Sequence, residues 1–248
     1  MDLNVFMNHS APAVDALPIW ATLDSFFKAF DRREIGTIRI YSHSQPFFLD
    51  NREIIKRLGD VLGDFEFHRT RGLADGYVRS VADSSAAFLF QVEHDWSFVR
   101  EGISHNLRQI EAGMRAQHAV HLRFNAHPNV VLPNYGLVFI EGSDPPMCRT
   151  DGFSNNPHIL DREAAARLYV PFIDTRAMLS YGIEDILTDR YHEGWVYGGL
   201  GHPPTIAHRD GALAYKEVHG MARNRLRALR YANDVLTRWG MVRYGRLH

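Results

Sequence analysis

The sequence predicts an α/β protein with a mostly parallel central sheet flanked by helices and one more helix near the C-terminus. Segments with the two-residue periodicity of strands alternate with segments of helical periodicity from residue 3 onward, which is typical of successive βαβ units. Residues 86–92 form an almost continuous apolar run, as expected of a central strand that is covered on both faces. The chain has 248 residues, 45% of them hydrophobic, which suits a single domain spanning residues 1–248.

The first half of the chain repeats strand and helix three times. Apolar residues alternate in the strands and recur every three or four positions in the helices, and Asn51 can cap the second helix. The predicted elements are a strand at 3–7, a helix at 17–30, a strand at 37–41, a helix at 51–61, a strand at 65–67, a helix at 72–83 and the apolar strand at 86–92.

The second half is less regular. Apolar residues step along one helical face from Val99 to Met114, and residues 120–124 alternate as a strand with one wet face. Because residues 133–136 carry turn signals, we expect a hairpin of 130–132 with 137–140 and a loop at 142–157. The remaining predicted elements are a short helix capped by Asp161, a helix at 183–190, a strand at 195–197 and a basic C-terminal helix at about 218–239.

Composition narrows the expected partners and compartments. With 28 basic and 29 acidic side chains, the net charge of -1 gives no reason to expect nucleic-acid binding. The lone Cys148 fits a reducing compartment, and the first residues lack the charged start and apolar run of a signal peptide. No stretch reaches the roughly 20 apolar residues that span a bilayer. We therefore expect a cytoplasmic protein without a transmembrane segment.

Arginines concentrate in the last thirty residues. They are Arg223, Arg225, Arg227, Arg230, Arg238, Arg243 and Arg246. Such a run is most often a solvated helix face. The alternative is peripheral contact with a membrane surface or with an anionic lipid-linked acceptor.

The tripeptide Glu93-His94-Asp95 follows directly on the apolar strand. Buried carboxylates need compensation, and the carboxyl ends of central strands in open α/β sheets face the ligand crevice. Two carboxylates flanking one residue suit a hard cation such as Mn²⁺ or Mg²⁺ that in turn neutralises phosphate oxygens. The alternative is a solvated loop in which Asp95 caps the next helix.

Residues 90–96, Phe-Gln-Val-Glu-His-Asp-Trp, resemble the strand and acid-X-Asp motif of GT-A-fold glycosyltransferases. The order of the later segments is similar to that of small microbial and viral members of the group. These segments are residues 118–125, 154–158, 182–185, 195–198 and 206–211. The resemblance implies a single-domain GT-A (Rossmann-like) fold. It also implies a metal-dependent enzyme that transfers a hexosyl or deoxyhexosyl group from a nucleotide-sugar donor, with a UDP-sugar favoured.

The resemblance also implies roles for particular residues. Asp95 would bind the metal directly, with Glu93 on the ribose or on a metal-bound water. A later histidine would complete the metal shell, and His208 matches that position better than its rival His202. An acid at the start of a helix, Glu184 or Asp185, would serve as the catalytic base if the enzyme inverts configuration. The alternative for these two acids is the usual preference of carboxylates for a helix N-terminus.

Further residues are candidates for binding the donor or the acceptor. The nucleotide-sugar side would be contacted by Asn8, His9, Ser10, Arg71, Asp75, Glu93, His94 and Asp95. The sugar or acceptor side would be contacted by Trp96, Arg123, Asn125, Ser154, Asn155, Asn156, His158 and Trp195. The alternatives are an ordinary loop at 8–10, a surface ion pair of Arg71 with Asp75, an Asn-Pro turn at 154–158 and core packing of the tryptophans.

The acceptor expected on this basis is a hydroxyl of a glycan, glycolipid or glycoprotein, as in polysaccharide biosynthesis. Two other functions stay open. A metal-dependent hydrolase would need three converging protein ligands and an open water position. A non-catalytic nucleotide- or carbohydrate-binding protein would be indifferent to the loss of Glu184 and Asp185.

Overall fold

A computed structural model describes most of the first 209 residues, which form one compact unit. The described residues are 1–8, 13–43, 51–131, 136–175, 183, 187 and 193–209. The strands among them are β1 (Asp2–Asn8), β2 (Ile38–His43), β3 (Glu66–Arg69), β4 (Phe88–Glu93), β5 (Trp96–Phe98), β6 (His121–Arg123), β7 (Leu137–Phe139), β8 (Met147–Thr150), β9 (His158–Asp161), β10 (Gly194–Tyr197) and β11 (Ile206–His208). The α-helices are α1 (Ile19–Ala29), α2 (Asn51–Leu62), α3 (Leu73–Asp83), α4 (Leu107–Ala116) and α5 (Arg162–Leu168).

Nine of these strands form one sheet in the order β3-β2-β1-β4-β9-β6-β10-β8-β7. The pairs β1–β2, β1–β4, β2–β3 and β6–β10 are parallel, whereas β8 and β9 run antiparallel to their neighbours. The other seven strands therefore point the same way, and the mostly parallel sheet predicted from the sequence is confirmed. Their carboxyl ends share one edge of the sheet, where α/β proteins bind ligands.

Helices cover both faces of the sheet, as predicted. On one face, Val5 and Val92 of the central strands pack in a core with α1, α2 and α4. On the other face, Phe6 and Leu89 pack in a second core with α3 and α5. The strands alternate between the two cores because successive side chains of a strand point to opposite faces. Gly76 lets α3 approach β1 closely, since an added Cβ would lie 3.2 Å from the Phe6 ring.

The helix predicted from Val99 is shorter in the structure. Residues 96–98 form β5, and α4 begins only at Leu107, after a capping box of Asn106 and Gln109. Upstream of Asn106 the chain forms only a short 3-10 helix at Arg100–Gly102, although Phe98 and Ile103 on either side of it pack in the core. The side chain of Asn106 accepts from the Gln109 amide at 2.9 Å, which fixes the helix start.

The predicted hairpin at 130–140 and the predicted loop at 142–157 are both wrong in part. Strand β7 pairs with β8, which lies inside the supposed loop, and residues 130 and 131 are not in a strand. Strands β9 and β11 were also not predicted. Each of these two strands is only three or four residues long and pairs with strands distant in sequence, so local periodicity does not predict either one. The capping of α5 by Asp161, which accepts from the Ala164 amide at 2.8 Å, is confirmed.

Two predicted helices fall wholly or mostly outside the described residues. Of the helix at 183–190, Ile183 and Leu187 are described, and both are helical and fully buried. The C-terminal helix at 218–239, with its arginines, lies outside the described part, so the single-domain prediction for 1–248 stays a prediction. Among the described helices none has the length and apolar character that crossing a bilayer requires.

Candidate functional site

Asp95 and His208 meet just beyond the carboxyl end of β4. Strand β5 follows Asp95 directly and pairs antiparallel with β11, which places His208 opposite Trp96. The imidazole Nε2 of His208 lies 3.2 Å from Oδ2 of Asp95, and the His208 ring lies 4.7 Å from the Trp96 ring. Residues 113 positions apart in sequence are thus brought together by a two-stranded ribbon.

Three separate elements hold the His94–Asp95 turn. The His94 amide donates to the Phe6 carbonyl of β1 at 2.9 Å. The Thr22 hydroxyl of α1 donates to the His94 carbonyl at 2.6 Å. The Arg209 amide donates to the Asp95 carbonyl at 2.6 Å. The backbone on both sides of the Asp95 side chain is therefore fixed before any ligand binds.

The Asp95 carboxylate is charged, and only one of its two oxygens has a hydrogen-bond partner among the described residues. Burial would raise the pKa of Asp95, but the hydrogen bond from His208 and the nearby imidazoles of His94 and His208 lower it below its usual range. Oδ1 of Asp95 is buried and has no hydrogen-bond partner among the described residues. A buried carboxylate oxygen without a partner is costly in free energy, so this atom is poised for a cation or a hydrogen-bond donor.

The pair fits a divalent cation of the Mn²⁺ or Mg²⁺ type. A carboxylate oxygen of Asp95 and the imidazole nitrogen of His208 are donor types that such a cation accepts, and His208 would bind it after Nε2 gives up the proton that it shares with Asp95. Such cations are often held by one or two protein groups, with phosphate oxygens and water as the other ligands. Among the described residues no group of three or more His, Cys, Asp and Glu side chains is placed to hold a metal.

Glu93 lies in a cleft on the α3 face of the sheet. In the register of β1 and β4 it is opposite Phe6, whose side chain packs in the α3 core. The cleft is lined by Phe6, Leu73, Tyr77, Gln91, Val92, Glu93, Asn155 and His158. The structure therefore separates the predicted ligands: Asp95 and His208 are bonded to each other, whereas Glu93 lines this small cleft.

Two buried histidines, His121 and His158, lie with their ring centroids 4.7 Å apart, and His158 lines the cleft. Burial lowers the pKa of His158 to about 4, although its Nδ1 lies 2.7 Å from the Asn156 carbonyl, and its Nε2 lies 3.3 Å from the Tyr77 hydroxyl. Burial, the neighbouring His158 and Arg123 together hold the pKa of His121 well below its usual range. Both imidazoles are therefore neutral at pH 7.

The neutral histidines predict a loss of stability on mild acidification. His158 binds a proton in the unfolded chain below a pKa of about 6.5 but in the folded protein only near 4, so folding is progressively disfavoured as pH falls between these values. From pH 7.5 to pH 5 this group alone should remove about 2 kcal/mol from the free energy of unfolding. Urea unfolding at the two pH values should show a smaller loss for His158→Phe than for the native protein, and an equal loss would contradict the assignment.

Arg71 and Asp75 pair with each other at the start of α3. The Arg71 amide donates to Asp75 at 3.0 Å, and its guanidinium lies 3.2 Å from the other carboxylate oxygen. Burial would raise the pKa of Asp75, but these bonds from Arg71 lower it. The guanidinium also lies 3.4 Å from the Thr175 hydroxyl. Asn8 ends β1 at the same sheet edge, whereas His9 and Ser10 lie outside the described residues.

Several residues that were predicted to contact the substrate bond to or pack against other parts of the protein. The Asn125 amide nitrogen donates to the carbonyls of His127 and Pro203, and its oxygen accepts from the Thr205 hydroxyl at 2.6 Å. Trp195 packs in the core, and Arg123 is buried with its guanidinium 3.4 Å from the Thr150 hydroxyl.

The segment at 154–158 forms part of the cleft wall. The Ser154 hydroxyl accepts from the Asn156 amide, and the Ser154 carbonyl accepts from His121. Asn155 and His158 are the two residues of this segment that line the cleft.

The structure separates the two candidate metal histidines. His202 Nε2 donates to the Gly102 carbonyl at 2.8 Å, and its ring packs against Tyr197 with the centroids 5.4 Å apart. Gly198 has a φ of +89°, and a Cβ there would collide with the His202 ring. His202 therefore holds a loop, and His208 is the histidine at Asp95. The candidate bases Glu184 and Asp185 lie outside the described residues.

Sequence reasoning missed Thr22, Tyr77 and Gln91. The one available signal was Gln91, a polar residue in the apolar run 86–92. Its amide nitrogen donates to the Ser80 hydroxyl at 2.9 Å, while its oxygen is buried with no hydrogen-bond partner among the described residues. Thr22 carried no signal, since a threonine on a helix usually bonds its own helix.

Solved structures share the fold of the chain. S. aureus TarS superposes with a TM-score of 0.54 at 13% identity over 88% of this chain and 38% of that one. GalNAc-T7 with UDP, GalNAc and Mn²⁺ gives 0.57 at 9% identity over 84% of this chain and 44% of that one. S. aureus TarS 1–349 in complex with UDP-GlcNAc gives 0.51 at 12% identity over 84% of this chain and 58% of that one.

The chain thus spans less than two thirds of each of these proteins. No protein-family model and no curated protein matches the sequence. The resemblance drawn from residues 90–96 is confirmed at the level of the fold: this chain has the GT-A fold of nucleotide-sugar glycosyltransferases.

Proposed function

We propose that the protein is a glycosyltransferase that transfers a sugar from a nucleotide-sugar donor to a hydroxyl group of an acceptor. The observation that carries the proposal is the Asp95–His208 pair, with one buried carboxylate oxygen left for a cation. It lies at the carboxyl edge of a GT-A sheet, beside a cleft lined by Glu93, Asn155 and His158. Fold alone does not give activity, so the proposal depends on this arrangement.

In this proposal Asp95 and His208 hold Mn²⁺ or Mg²⁺. Such a cation, when bound, would supply the positive charge that offsets the charge on the diphosphate of the departing nucleotide. The fixed backbone of the His94–Asp95 turn means that the carboxylate does not have to be reorganised when the donor arrives. Glu93 and the cleft residues would contact the ribose or the sugar.

The transfer also requires a group that accepts the proton of the acceptor hydroxyl. For an inverting enzyme we assign this role to Asp185 or Glu184, as the resemblance implies. The acceptor oxygen then bonds to the anomeric carbon while the bond from that carbon to the phosphate oxygen breaks. For a retaining enzyme these two acids would have another role.

A UDP-sugar is the first donor to test. Solved structures of the same fold contain UDP-GlcNAc in TarS and UDP, GalNAc and Mn²⁺ in GalNAc-T7. The proposal also includes the transferred group, which is hexosyl or deoxyhexosyl, and the acceptor, which is a glycan, glycolipid or glycoprotein. It further includes a role in polysaccharide biosynthesis and a cytoplasmic location. Contact of the arginine-rich C-terminal segment with a membrane surface belongs to it as well.

The experiment measures release of the nucleoside diphosphate from UDP-, GDP- and CDP-sugars, with and without Mn²⁺ and with glycan acceptors added. Metal-dependent release from one nucleotide class, lost in Glu184→Gln or Asp185→Asn, supports a transferase. Binding of the nucleotide-sugar without release by any variant would favour a non-catalytic binding protein. Metal-dependent hydrolysis of substrates that carry no nucleotide would favour a metal-dependent hydrolase instead.

The placement of the two histidines gives a separate prediction. His208→Gln should weaken the Mn²⁺-dependent binding of the donor by about 10- to 100-fold, because it removes one of two protein ligands. His202→Gln should leave this binding within about twofold, since His202 bonds the Gly102 carbonyl away from Asp95. Calorimetric titration of UDP at fixed Mn²⁺ measures both, and equal losses in the two variants would contradict the assignment.

A further inference from the structure

We infer that Thr22 of helix α1 is a positioning residue for the cation site, acting through the backbone of the His94–Asp95 turn. Its hydroxyl donates to the His94 carbonyl, one peptide away from the Asp95 side chain, at 2.6 Å in a buried environment. Thr22 itself is 1% exposed, so water does not replace this bond readily. The inference deepens the proposed function and rests on it.

The direction of the Thr22 hydroxyl is unusual for a helix. A threonine inside a helix commonly bonds the carbonyl four residues earlier. Here that carbonyl, of Pro18, is 3.4 Å away, whereas the His94 carbonyl in a different element is 2.6 Å away. The hydroxyl is therefore aimed out of its own helix and at the turn that carries Asp95.

The Thr22 bond completes a three-point support of the turn. The His94 amide is held by β1, and the Asp95 carbonyl is held by the Arg209 amide next to His208. Without the Thr22 hydroxyl, the peptide plane between His94 and Asp95 loses its hydrogen bond to α1 and can rotate. Rotation of that plane moves the Asp95 carboxylate relative to His208, and metal sites tolerate displacements of only a few tenths of an ångström.

A second hydroxyl on the same helix provides a matched control. Ser25 lies one turn after Thr22, and its hydroxyl accepts from the Phe98 amide at 3.0 Å. It therefore joins the same helix to the same ribbon but does not touch the His94–Asp95 turn. Ser25→Ala removes this bond and the one that the Ser25 hydroxyl donates to the Thr22 carbonyl, and it leaves the Thr22 hydroxyl bonded to the His94 carbonyl.

The test compares Thr22→Val, Thr22→Ser, Ser25→Ala and the native protein. Calorimetry measures Mn²⁺ binding in saturating UDP, and UDP binding in EDTA. Thr22→Val keeps the shape of the side chain and should weaken Mn²⁺ binding about tenfold. Thr22→Ser should restore it, Ser25→Ala should leave it unchanged, and UDP binding in EDTA should be the same in all four proteins.

Equal Mn²⁺ affinity of Thr22→Val and the native protein would overturn the inference while leaving the proposed function intact. An equal loss in Ser25→Ala would also overturn it, because the effect would then be general destabilisation. Absence of Mn²⁺-dependent UDP binding in the native protein would overturn both. If Thr22→Val does not fold, judged by its thermal transition, Thr22→Ala takes its place with the same expected loss.

Discussion

Replacing Asp95 with asparagine is expected to abolish metal-dependent donor binding, with a loss of at least about 100-fold. Asparagine keeps the shape of the side chain and one oxygen acceptor, but it removes the charge that attracts a divalent cation. Any transfer activity should fall at least in parallel, because the departing diphosphate then lacks the charge of the cation. Calorimetric titration of UDP at fixed Mn²⁺ measures the effect.

Loss of the Asp95 charge should not unfold the protein. The cost of the buried carboxylate oxygen that has no partner among the described residues offsets the stabilisation of the charge by His208, and asparagine keeps an oxygen acceptor for His208. The melting temperature of Asp95→Asn in EDTA should stay within roughly 3 °C of the native value. Asp24→Asn, which removes a 62%-exposed carboxylate of α1, is the matched control and should keep full binding. Retention of Mn²⁺-dependent binding by Asp95→Asn would contradict the site.

The largest expected effect on stability comes from Arg39→Met. Arg39 of β2 and Asp2 of β1 form an ion pair at 2.7 Å, with side chains only 7% and 8% exposed. Burial would raise the pKa of Asp2, but hydrogen bonds from Ser84, Arg39 and Thr37 lower it, so the carboxylate is charged in the fold. Removing Arg39 leaves that charge buried without its cation and should cost about 3–5 kcal/mol.

Thermal unfolding of Arg39→Met at pH 7 should show a melting temperature lower by about 6–20 °C. Arg33→Met breaks the ion pair with Asp31 at a site where Arg33 is 89% exposed, so solvent screens the pair and the melting temperature should stay close to the native value. The double variant Asp2→Asn, Arg39→Met should be more stable than Arg39→Met alone. Similar melting temperatures for Arg39→Met and Arg33→Met would contradict the account.

The sequence carried enough information to predict the parallel half of the sheet. Strands β1 to β4 and helices α1 to α3 follow one another in βαβ order, and each of these helices buries an apolar face in one of the two cores. Local periodicity is therefore enough to find them. The tripeptide ending at Asp95 could be predicted as a candidate site because it follows the apolar strand directly.

The second half could not be predicted because its pairings are long-range. Strand β9 inserts between β4 and β6, and β7 and β8 extend the edge, so nothing in the local pattern fixes their partners. The contact of His208 with Asp95 depends on β11, a strand of three residues with two exposed side chains. The support by Thr22 depends on the packing of α1 against the turn, which no spacing in the sequence encodes.

The central claim is that a cation held by Asp95 and His208 binds the diphosphate of a nucleotide donor. The most direct test is calorimetric titration of the native protein with UDP, GDP and CDP, each with Mn²⁺ and in EDTA. The account predicts that one nucleotide binds and that Mn²⁺ tightens its binding by at least about tenfold. Binding of no nucleotide, or binding with the same affinity in Mn²⁺ and in EDTA, would contradict the claim.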